Sequence, residues 1–296
     1  MTTPLRTALI GFGYWGPNYA RVLNELPDTV LAAVCDANDD RLAVVRRRYR
    51  LTATCTRLAA SAGRVLMVGY TFLYNSGVRK MKEYIAPEQF GQVYYLHATR
   101  TNLGPIRQDV DAVWDLAPHD VAIFNYLLGE QPLWVSAVGA RVLRTSREDI
   151  AFATLGYSNE VLGNIHVSWT DPNKVREVVA VGSRRRLVFN DLNDVERLRV
   201  FERGVSVGEA IAESYGEFKL LVRDGDIISP KVPASEPLKN QCQEFADAVA
   251  SGRQPLASGE FGVGVIRTLA AIEASMRDRG AAVGVNEAPR HAFAHR

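Results

Sequence analysis

The sequence predicts two domains, an α/β domain with a parallel sheet followed by an α+β domain with a mixed or antiparallel open sheet. A glycine-rich turn lies between a predicted strand and a predicted helix near the N-terminus, as in a βαβ unit. From residue 75 onward, β-rich segments follow one another with short connections, which is typical of a mixed or antiparallel sheet. At 296 residues the chain is long enough for two hydrophobic cores.

The turn between the first strand and helix predicts a dinucleotide site. It joins an apolar run at 7–10 to a predicted helix over 18–26, and a second apolar run at 30–35 ends on Asp36. In such units the glycines allow a tight turn, close approach of the diphosphate and close helix packing, while an acidic residue about twenty positions on binds the ribose hydroxyls. The predicted cofactor-binding residues are Gly11, Phe12, Gly13, Tyr14, Trp15, Gly16 and Asp36.

Asp36 also bears on which dinucleotide is bound. Its carboxylate would repel the 2′-phosphate of NADP, so the sequence favours NAD. The alternative interpretation is that Asp36 ends a strand and caps the next helix.

Composition narrows the class of protein. A net charge of +2 gives no electrostatic reason to expect a nucleic-acid or membrane partner. The three cysteines are scattered without metal-ligand spacing, which suits a reducing compartment, and no metal site is predicted. The N-terminus lacks a secretory apolar stretch, and no apolar run approaches the ~18 residues of a membrane span. We therefore expect a cytoplasmic protein.

The remaining pattern gives the order of elements and the domain boundaries. The sequence predicts a helix at 39–49, a short strand at 51–56, a helix end at 57–62 and a buried parallel strand at 64–70. Further predicted helices cover 76–85, 118–128, 236–251 and 258–279, and further predicted strands cover 92–101, 133–142, 150–157, 161–169, 175–181 and 186–190. The predicted domains are 1–70 and 71–285, with a tail at 286–296.

A second set of polar residues lies at the predicted start of the helix at 118–128. Pro118 suits a first helical position, and Asp115 and His119 are four residues apart, so that they project on one side. A carboxylate beside an imidazole fixes its tautomer and raises its basicity, as proton transfer from a hydroxyl requires. The alternative interpretation, a solvent-exposed histidine beside a helix-capping aspartate, remains open at this point.

Longer motifs give the chain a family resemblance. GFGYWGPN, RVLMVGYTFLYN, RTNLGPIRQDVDAVWDLAPHD, HVSWTDPNKVRE and EPLKNQCQEF together resemble the Gfo/Idh/MocA family of NAD(P)-dependent oxidoreductases over nearly the whole length. The last three look like the branch typified by UDP-N-acetylglucosamine and UDP-GlcNAc-uronate 3-dehydrogenases. The resemblance implies a Rossmann-type first domain and a second domain for substrate binding and oligomerisation.

The resemblance also implies an activity and the residues for it. In such enzymes a hydride passes between NAD and a ring carbon, here C3, of a nucleotide-linked sugar; free sugars or inositol are another substrate class. His119 would be the acid/base and Asp115 its partner. Arg100, Asn102 and Trp114 would line the substrate cleft, and Lys174 and Arg176 would contact substrate or a neighbouring subunit unless they are ordinary exposed charges.

Oligomerisation is a further expectation. Relatives of this kind pair sheet to sheet, which implies a homodimer or homotetramer. Val161, Ile165 and Val167 are predicted to form the apolar sheet face that meets the partner.

The sequence departs from the family in one place. The family's Glu-Lys-Pro motif is absent, and no lysine precedes Lys80. Only 27 residues separate Asp36 from Arg64, whereas the family places at least two further βα units there, each of roughly 30 residues. We place the absent block, roughly 50–60 residues by that unit length, between Thr56 and Arg57.

This departure predicts a truncated Rossmann-type domain. The usual strand order 3-2-1-4-5-6 would lose its fourth and fifth members, so the first strand keeps an unpaired edge or pairs with 64–70. We expect weak NAD binding and severely impaired turnover. The alternative is a non-catalytic chain, or a deletion product, that retains the sheet domain for oligomerisation or sugar binding.

Overall fold

The computed structural model describes residues 4–36, 38–48, 53–54, 64–107, 109–143, 146–207 and 220–286. The described residues fall into two units. The first draws on Met1–Tyr74 and Ser235–Gly262, and the second on Asn75–Ala234 and Val263–Arg296. The helix predicted at 236–251 therefore belongs to the first unit, although the predicted domain boundary at residue 70 placed it in the second.

The first unit begins with the predicted strand–helix–strand pattern. Its elements are β1 (Leu5–Ile10), α1 (Gly16–Glu25), β2 (Thr29–Cys35), α2 (Asp39–Arg48) and β3 (Ala53–Thr54). The three strands form a parallel sheet in the order β1-β2-β3. The helix end predicted at 57–62 and the proposed position of the absent block lie outside the described residues.

The remaining elements begin after a short 3-10 turn, Thr71–Tyr74, which ends the first stretch of the first unit. The helices are α3 (Ser76–Tyr84), α4 (Pro87–Phe90), α5 (Ala112–Leu128), α6 (Pro237–Ser251) and α7 (Gly259–Arg277). The strands are β4 (Val93–Leu103), β5 (Trp134–Ala140), β6 (Ile150–Gly156), β7 (Leu162–Ser168), β8 (Thr170–Gly182), β9 (Arg186–Asn190), β10 (Leu198–Phe201), β11 (Gly204–Val207), β12 (Leu220–Arg223), β13 (Ile227–Ile228) and β14 (Val283–Gly284).

One hydrophobic cluster joins α1, β2 and α2 to α6 across almost the whole length of the chain. Its buried members are Phe12, Ala20, Val22, Leu23, Leu26, Leu31, Val34, Leu42, Val45, Leu238 and Cys242. Two members of the stripe predicted on the helix at 236–251, Leu238 and Cys242, are thus confirmed as core residues. The other two, Phe245 and Val249, are only half-buried.

β1 is an edge strand within the described part of the first unit. It pairs with β2 only, from Leu5 opposite Thr29 to Ile10 opposite Cys35. On these strands Ile10 is 57% exposed and Val30 42% exposed. Parallel sheets are ordinarily covered on both faces, whereas the described residues leave these two apolar side chains partly uncovered.

The prediction of a buried parallel strand at 64–70 is wrong. Within this segment only Met67 makes a β-bridge, an antiparallel one with Ser258, and Leu66 is 47% exposed. The Val68 N–H donates to the Ala257 carbonyl at 2.8 Å, and the Gly259 N–H donates to the Leu66 carbonyl at 3.2 Å. The backbone of this segment is therefore satisfied by residues 257–259 instead of by β1.

Gln241 on α6 also holds the 64–71 segment in place. Its Nε2 donates to the Val68 carbonyl at 3.1 Å, and its Oε1 accepts from the hydroxyls of Tyr19 and Thr71, each at 3.0 Å. Gln241 is buried. Because a buried amide is costly to leave unpaired, these bonds fix α6 against α1 and the end of the segment.

The second unit is built on a mixed sheet, as predicted. Its described strands follow the order β13-β10-β9-β8-β4-β7-β6-β5-β14, and β11 and β12 form a separate hairpin. β4 and β7 run parallel, and the other neighbouring pairs in the long sheet are antiparallel. Strands β10–β14 were not predicted, because they are short or lack clear alternation.

The helix α5 starts six residues earlier than the sequence suggested. Asp111 caps it by accepting the Trp114 N–H at 2.8 Å, and Gly129 ends it in the left-handed conformation, with φ 78°. Pro118 therefore lies inside the helix, and its predicted place at the first position is wrong. Since proline donates no hydrogen bond to the carbonyl four residues earlier, the Trp114 carbonyl loses its usual helical partner.

The predicted outer face of the sheet is also wrong, by one residue of register. Ile165 and Val167 are buried, and a Cβ added to Gly163 would lie 2.9 Å from the Phe124 ring of α5. The odd-numbered residues of β7, with neighbouring Val161, therefore face the helix. The even-numbered residues face outward because side chains alternate along a strand.

That outward face carries its own apolar and aromatic residues. Tyr95, Phe152 and Leu162 are exposed, and the Phe152 and His166 rings stack with centroids 4.3 Å apart. None of the described helices is long and apolar enough to cross a membrane.

Candidate functional sites in the two units

The glycine turn after β1 leaves its backbone open. Gly11 has φ +87°, a conformation that residues with a side chain rarely adopt, and its N–H donates to the Cys35 carbonyl at 2.7 Å. A Cβ added to Gly11 would meet no described heavy atom within 4 Å. A ligand could therefore approach the chain closely at this point, as a diphosphate does in dinucleotide sites.

Gly16 has a packing role at the start of α1. A Cβ added there would lie 2.9 Å from the ring of Phe12, which is buried in the core of the first unit. By contrast, a Cβ added to Gly13 would meet only the Arg41 Nη1, at 3.9 Å. The third glycine is thus required for the close approach of turn and helix, and the second is not required by packing among the described residues.

These two glycines give a matched pair of variants. Gly16→Ala should lower the free energy of unfolding by about 1–3 kcal/mol, because an added methyl overpacks a well-filled site. Gly13→Ala should change it by less than about 0.5 kcal/mol. Urea unfolding followed by tryptophan fluorescence measures both, and equal effects of the two variants would contradict the packing role of Gly16.

Asp36 is bound by the backbone of its own turn. Its Oδ2 accepts the Phe12 N–H at 2.5 Å and its Oδ1 accepts the Asn38 N–H at 2.8 Å. Burial alone would raise the pKa of this carboxyl, but the two N–H donors and the Arg41 guanidinium, 3.6 Å from Oδ2, hold the pKa below its usual value. Asp36 is therefore ionised at neutral pH, as the preference for NAD requires.

The alternative interpretation of Asp36, as the cap of the next helix, does not hold, because Asn38 takes that position. The Oδ1 of Asn38 accepts the N–H groups of Asp40 and Arg41, at 2.9 and 3.2 Å, and so caps α2. Arg41 itself was missed in the sequence analysis, although its place five residues after Asp36 was a usable signal. Because a nearby arginine accommodates a 2′-phosphate in NADP-binding sites, Arg41 weakens the discrimination against NADP that Asp36 alone would give.

Two aromatic residues complete the turn. Tyr14 is 92% exposed, Trp15 is more than half exposed, and their rings meet edge to face with centroids 6.5 Å apart. The open backbone at Gly11, the positive end of α1 and the carboxylate at the end of β2 together fit the diphosphate and ribose of a dinucleotide.

His119, in the second unit, lies on α5 in a partly shielded position. The side chain is half-buried, and its Nδ1 is out of contact with solvent. Burial, followed by the positive charges of Arg100 and Arg176, lowers the pKa of His119 to about 3. The imidazole is therefore neutral at pH 7 and can accept a proton.

Asp115 has hydrogen-bond donors that the sequence did not suggest. Its Oδ1 accepts from the Arg107 Nη1 at 2.9 Å, and its Oδ2 accepts from the Nε1 of the buried Trp169 at 3.1 Å. These bonds tie α5 to the loop after β4 and to the end of β7. The orienting bond from Asp115 to His119 stays a prediction.

Arg100 is buried in an ion pair and not presented at a surface. Its Nε and Nη2 bind the carboxylate of Asp120 at 2.7–3.2 Å, and the two residues are 5% and 1% exposed. Arg176 lies directly opposite Arg100 in the pairing of β4 with β8, and its Nη1 is 3.6 Å from the Asp191 Oδ2. Asp120 was missed because nothing in its local pattern marks a buried ion pair.

The other predicted substrate-binding residues lie on three different elements, β4, α5 and β8. The Asn102 side-chain amide donates to the Gly104 carbonyl at the turn after β4, and the Trp114 Nε1 donates to the Glu273 Oε2 at 3.2 Å. Lys174 is exposed on β8. The structure thus brings His119 under the influence of Arg100 and Arg176, whereas Asn102, Trp114 and Lys174 make contacts of their own. Among the described residues, no three histidine, cysteine or acidic side chains cluster as metal ligands.

Comparison with known families agrees with the family resemblance over part of the chain. Residues 78–188 match the model described as the GFO/IDH/MocA C-terminal domain. The matched residues lie within the second unit.

Individual relatives point to the same branch. The curated UDP-N-acetylglucosamine 3-dehydrogenase of Acidithiobacillus ferrooxidans is 27% identical over 183 residues, which cover 61% of this chain and 53% of that enzyme. The chain therefore spans about half the length of the curated relative it matches.

Solved structures share the fold. UDP-N-acetylglucosamine 3-dehydrogenase GnnA from the same organism has a TM-score of 0.69 at 20% identity, over 93% of this chain and 100% of that one. The WlbA dehydrogenase of Bordetella pertussis, solved in complex with NADH and UDP-GlcNAcA, has a TM-score of 0.72 at 15% identity, over 95% and 97%.

Proposed function

We propose that this chain is an NAD-dependent oxidoreductase that acts at a ring carbon, C3, of a nucleotide-linked sugar. The observation that carries the proposal is the turn at Gly11, with an open backbone and an ionised Asp36 bound to the Phe12 N–H at 2.5 Å. Support for the substrate class comes from the similar dehydrogenases, one of which is named for UDP-N-acetylglucosamine.

In the proposed first site, residues 11–16 hold the diphosphate and Asp36 holds the adenosine ribose. The N-terminus of α1 stabilises the phosphate charge. Arg41 can neutralise part of the charge of Asp36, so we expect a preference for NAD that is real but modest.

In the proposed second site, His119 accepts the proton of the substrate hydroxyl. We assign the transfer to Nε2, because Nδ1 is shielded from solvent. NAD, when bound, accepts the hydride from the same carbon. Asn102, Trp114 and Lys174 are the proposed substrate contacts, and Arg100 acts through its charge because its guanidinium is committed to Asp120.

The charge around His119 links proton transfer to substrate binding. A base whose pKa is about 3 holds a proton poorly at neutral pH. The diphosphate of a nucleotide sugar, if it contacted the partly exposed Arg176, would offset one of the charges that lower this pKa. The base would then become stronger when substrate is present.

We propose that turnover is severely impaired relative to full-length relatives. No lysine precedes Lys80, so the lysine that the family resemblance implies has no counterpart in the first unit's N-terminal stretch. β1 is also an edge strand in the described sheet, so the strands that would carry the nicotinamide-binding loops are not beside it.

Cofactor binding and turnover test this proposal together. NADH should bind weakly, with a dissociation constant above the micromolar range, and nicotinamide fluorescence should rise on mixing. With UDP-N-acetylglucosamine and NAD, any slow NADH formation should be lost in His119→Gln and kept in the matched control His97→Gln. His97 is bonded to Asn164 and Thr99 on the outward sheet face.

Two outcomes would contradict the proposal. Micromolar NAD affinity with ordinary turnover would contradict the proposed impairment, because it would show that the absent segment is not needed. Full activity of the His119→Gln variant would show that His119 has no catalytic role.

The second candidate function is a non-catalytic chain that uses the sheet domain for oligomerisation or sugar binding. The outward face with Tyr95, Phe152 and Leu162 favours it, since exposed apolar patches commonly meet a partner. We propose a homodimer or homotetramer through this face. Silence of NADH fluorescence with a dimeric mass in light scattering would favour this candidate, whereas a monomeric mass would contradict the oligomer.

A further inference from the structure

Two arginines lie opposite each other on the sheet of the second unit, close enough to His119 to act on it. Arg100 on β4 pairs directly with Arg176 on β8, and the positive charges of both act on the His119 imidazole. Like charges at directly opposite positions of a sheet are destabilising. Each arginine therefore needs a negative partner that holds it in place, and the two partners differ.

Arg100 is held tightly, whereas Arg176 is held by a single looser ion pair. The Arg100 guanidinium makes N–H···O bonds of 2.7–3.2 Å to Asp120, and both side chains are almost fully buried. The Arg176 Nη1 is 3.6 Å from the Asp191 Oδ2, and the Arg176 side chain is 39% exposed. Without Asp191, Arg176 would therefore be free to turn toward solvent and away from His119.

Asp191 is itself fixed from two directions. Its backbone N–H donates to the Arg176 carbonyl at 3.0 Å, which places Asp191 beside Arg176 directly after β9. Its Oδ1 accepts from the Asn75 Nδ2 at 3.0 Å, and its Oδ2 is the atom nearer the Arg176 guanidinium. Because the Asp191 side chain is only 16% exposed, solvent competes little for either contact.

Asn75 connects this arrangement to the start of α3. It is buried, and its Oδ1 accepts the Gly77 N–H at 2.8 Å, so that it caps the helix, while its Nδ2 donates to Asp191. An amide that accepts with its oxygen and donates with its nitrogen is fixed in orientation. Asn75 therefore fixes the Asp191 carboxylate relative to α3.

We propose that Asp191 and Asn75 are positioning residues of the proton-transfer site: Asn75 orients Asp191, and Asp191 holds Arg176 beside His119. Only the role of His119 as proton acceptor rests on the proposed function. A positive charge held at this place favours the neutral imidazole, which can accept a proton, and loss of that charge would raise the pKa of His119. Asp191 and Asn75 act on His119 through Arg176.

The ring signals of the five histidines in a ¹H–¹³C NMR spectrum of the full chain at pH 7 test this proposal without NAD or substrate. His119→Gln and His97→Gln assign the two signals that matter. Arg176→Gln should shift the His119 signal, because it removes a neighbouring charge. Asp191→Asn should shift the signal in the same direction and by a comparable amount, and it should add no further shift in the Arg176→Gln background.

Two further variants separate the positioning role from general effects. Asn75→Ser keeps a capping hydroxyl for α3, but its shorter side chain loses the bond to Asp191, so the His119 signal should shift in the same direction as in Asp191→Asn. Asp194→Asn changes an exposed aspartate between β9 and β10 and is the matched control, which should leave the signal in place. An unchanged His97 signal, from the outward face, reports that the sheet is intact.

Three results would overturn the proposal. The first is a His119 signal that Arg176→Gln or Asp191→Asn leaves in place. The second is a shift by Asp191→Asn that is equally large with and without Arg176, since Asp191 would then not act through the arginine. The third is an equal shift by Asp194→Asn.

The remaining outcomes also decide between the proposals. If Asp191→Asn shifts the His97 signal as well, the sheet is disturbed and Asn75→Ser decides: a His119 signal in its original place would overturn the positioning role. Full activity of His119→Gln would contradict the proposed function alone, because the NMR signals do not depend on turnover.

Discussion

Replacing Asp120 by alanine should lower the free energy of unfolding by about 3–5 kcal/mol, because it leaves the Arg100 guanidinium buried without its carboxylate. The pair is nearly inaccessible to solvent, at 6% and 1% side-chain exposure, and three N–H···O contacts of 2.7–3.2 Å join it. Urea unfolding of the purified variant measures the change.

The matched control is Asp194→Ala, which breaks the 2.5 Å ion pair with Arg197 at a position where the aspartate side chain is 86% exposed. It should cost no more than about 0.5 kcal/mol. The double variant Arg100→Met with Asp120→Leu should recover much of the loss, since apolar replacements of similar volume remove both charges. If Asp120→Ala cost as little as Asp194→Ala, the ion pair would not be a structural element.

Acidification should destabilise the second unit through His119. The folded state holds this imidazole neutral with a pKa of about 3, whereas in the unfolded chain the value is 6.5. The unfolded state therefore binds more protons as pH falls through 6.5, and stability is lost down to about pH 3, below which both states are protonated. At 1.36 kcal/mol per pKa unit the loss is about 3–5 kcal/mol.

Thermal or urea unfolding between pH 7 and pH 4 measures this loss. His119→Gln should flatten the pH dependence over that window, since its amide does not titrate. His97→Gln should keep the dependence of the parent chain, because His119 is still present. A pH profile of His119→Gln that superimposes on the parent profile would show that His119 does not account for the acid sensitivity.

The first βαβ unit could be predicted from the sequence because its signals are local. A glycine turn and apolar runs at fixed spacing specify a strand, a helix and a second strand, and the structure has β1, α1 and β2 within a few residues of the predicted bounds. The role of Gly16 is local as well, since Gly16 is the first residue of α1 and the Phe12 ring beside it is only four residues earlier.

The segment 64–70 could not be predicted in the same way. Its apolar composition suits a buried strand, but a strand also needs a neighbour. Its partners are far away in the chain: Gln241 on α6 is 173 residues from Val68, and residues 257–259 are farther still. The same limit explains the error on β7, where alternation gave the two faces but not which of them α5 covers.

In the candidate site, the sequence identified the residue types, but it did not reveal which contacts those residues make. Arg100 was selected for its charge, and only the structure reveals that Asp120, twenty residues later, binds it. For α5, Pro118 drew the predicted start because proline favours first positions, whereas the Asp111 side chain caps the helix in fact. A tertiary contact decides the environment of Arg100, whereas a local helix cap decides the start of α5.

The position of α6 in the chain determines when, during translation, the first unit can finish folding. A ribosome releases residues 1–74 long before Leu238, Gln241 and Cys242 have been translated, yet these side chains complete the interior of the same unit. The N-terminal segment must therefore emerge with part of its apolar surface uncovered, and it reaches its final form only after the intervening sheet domain has been synthesised.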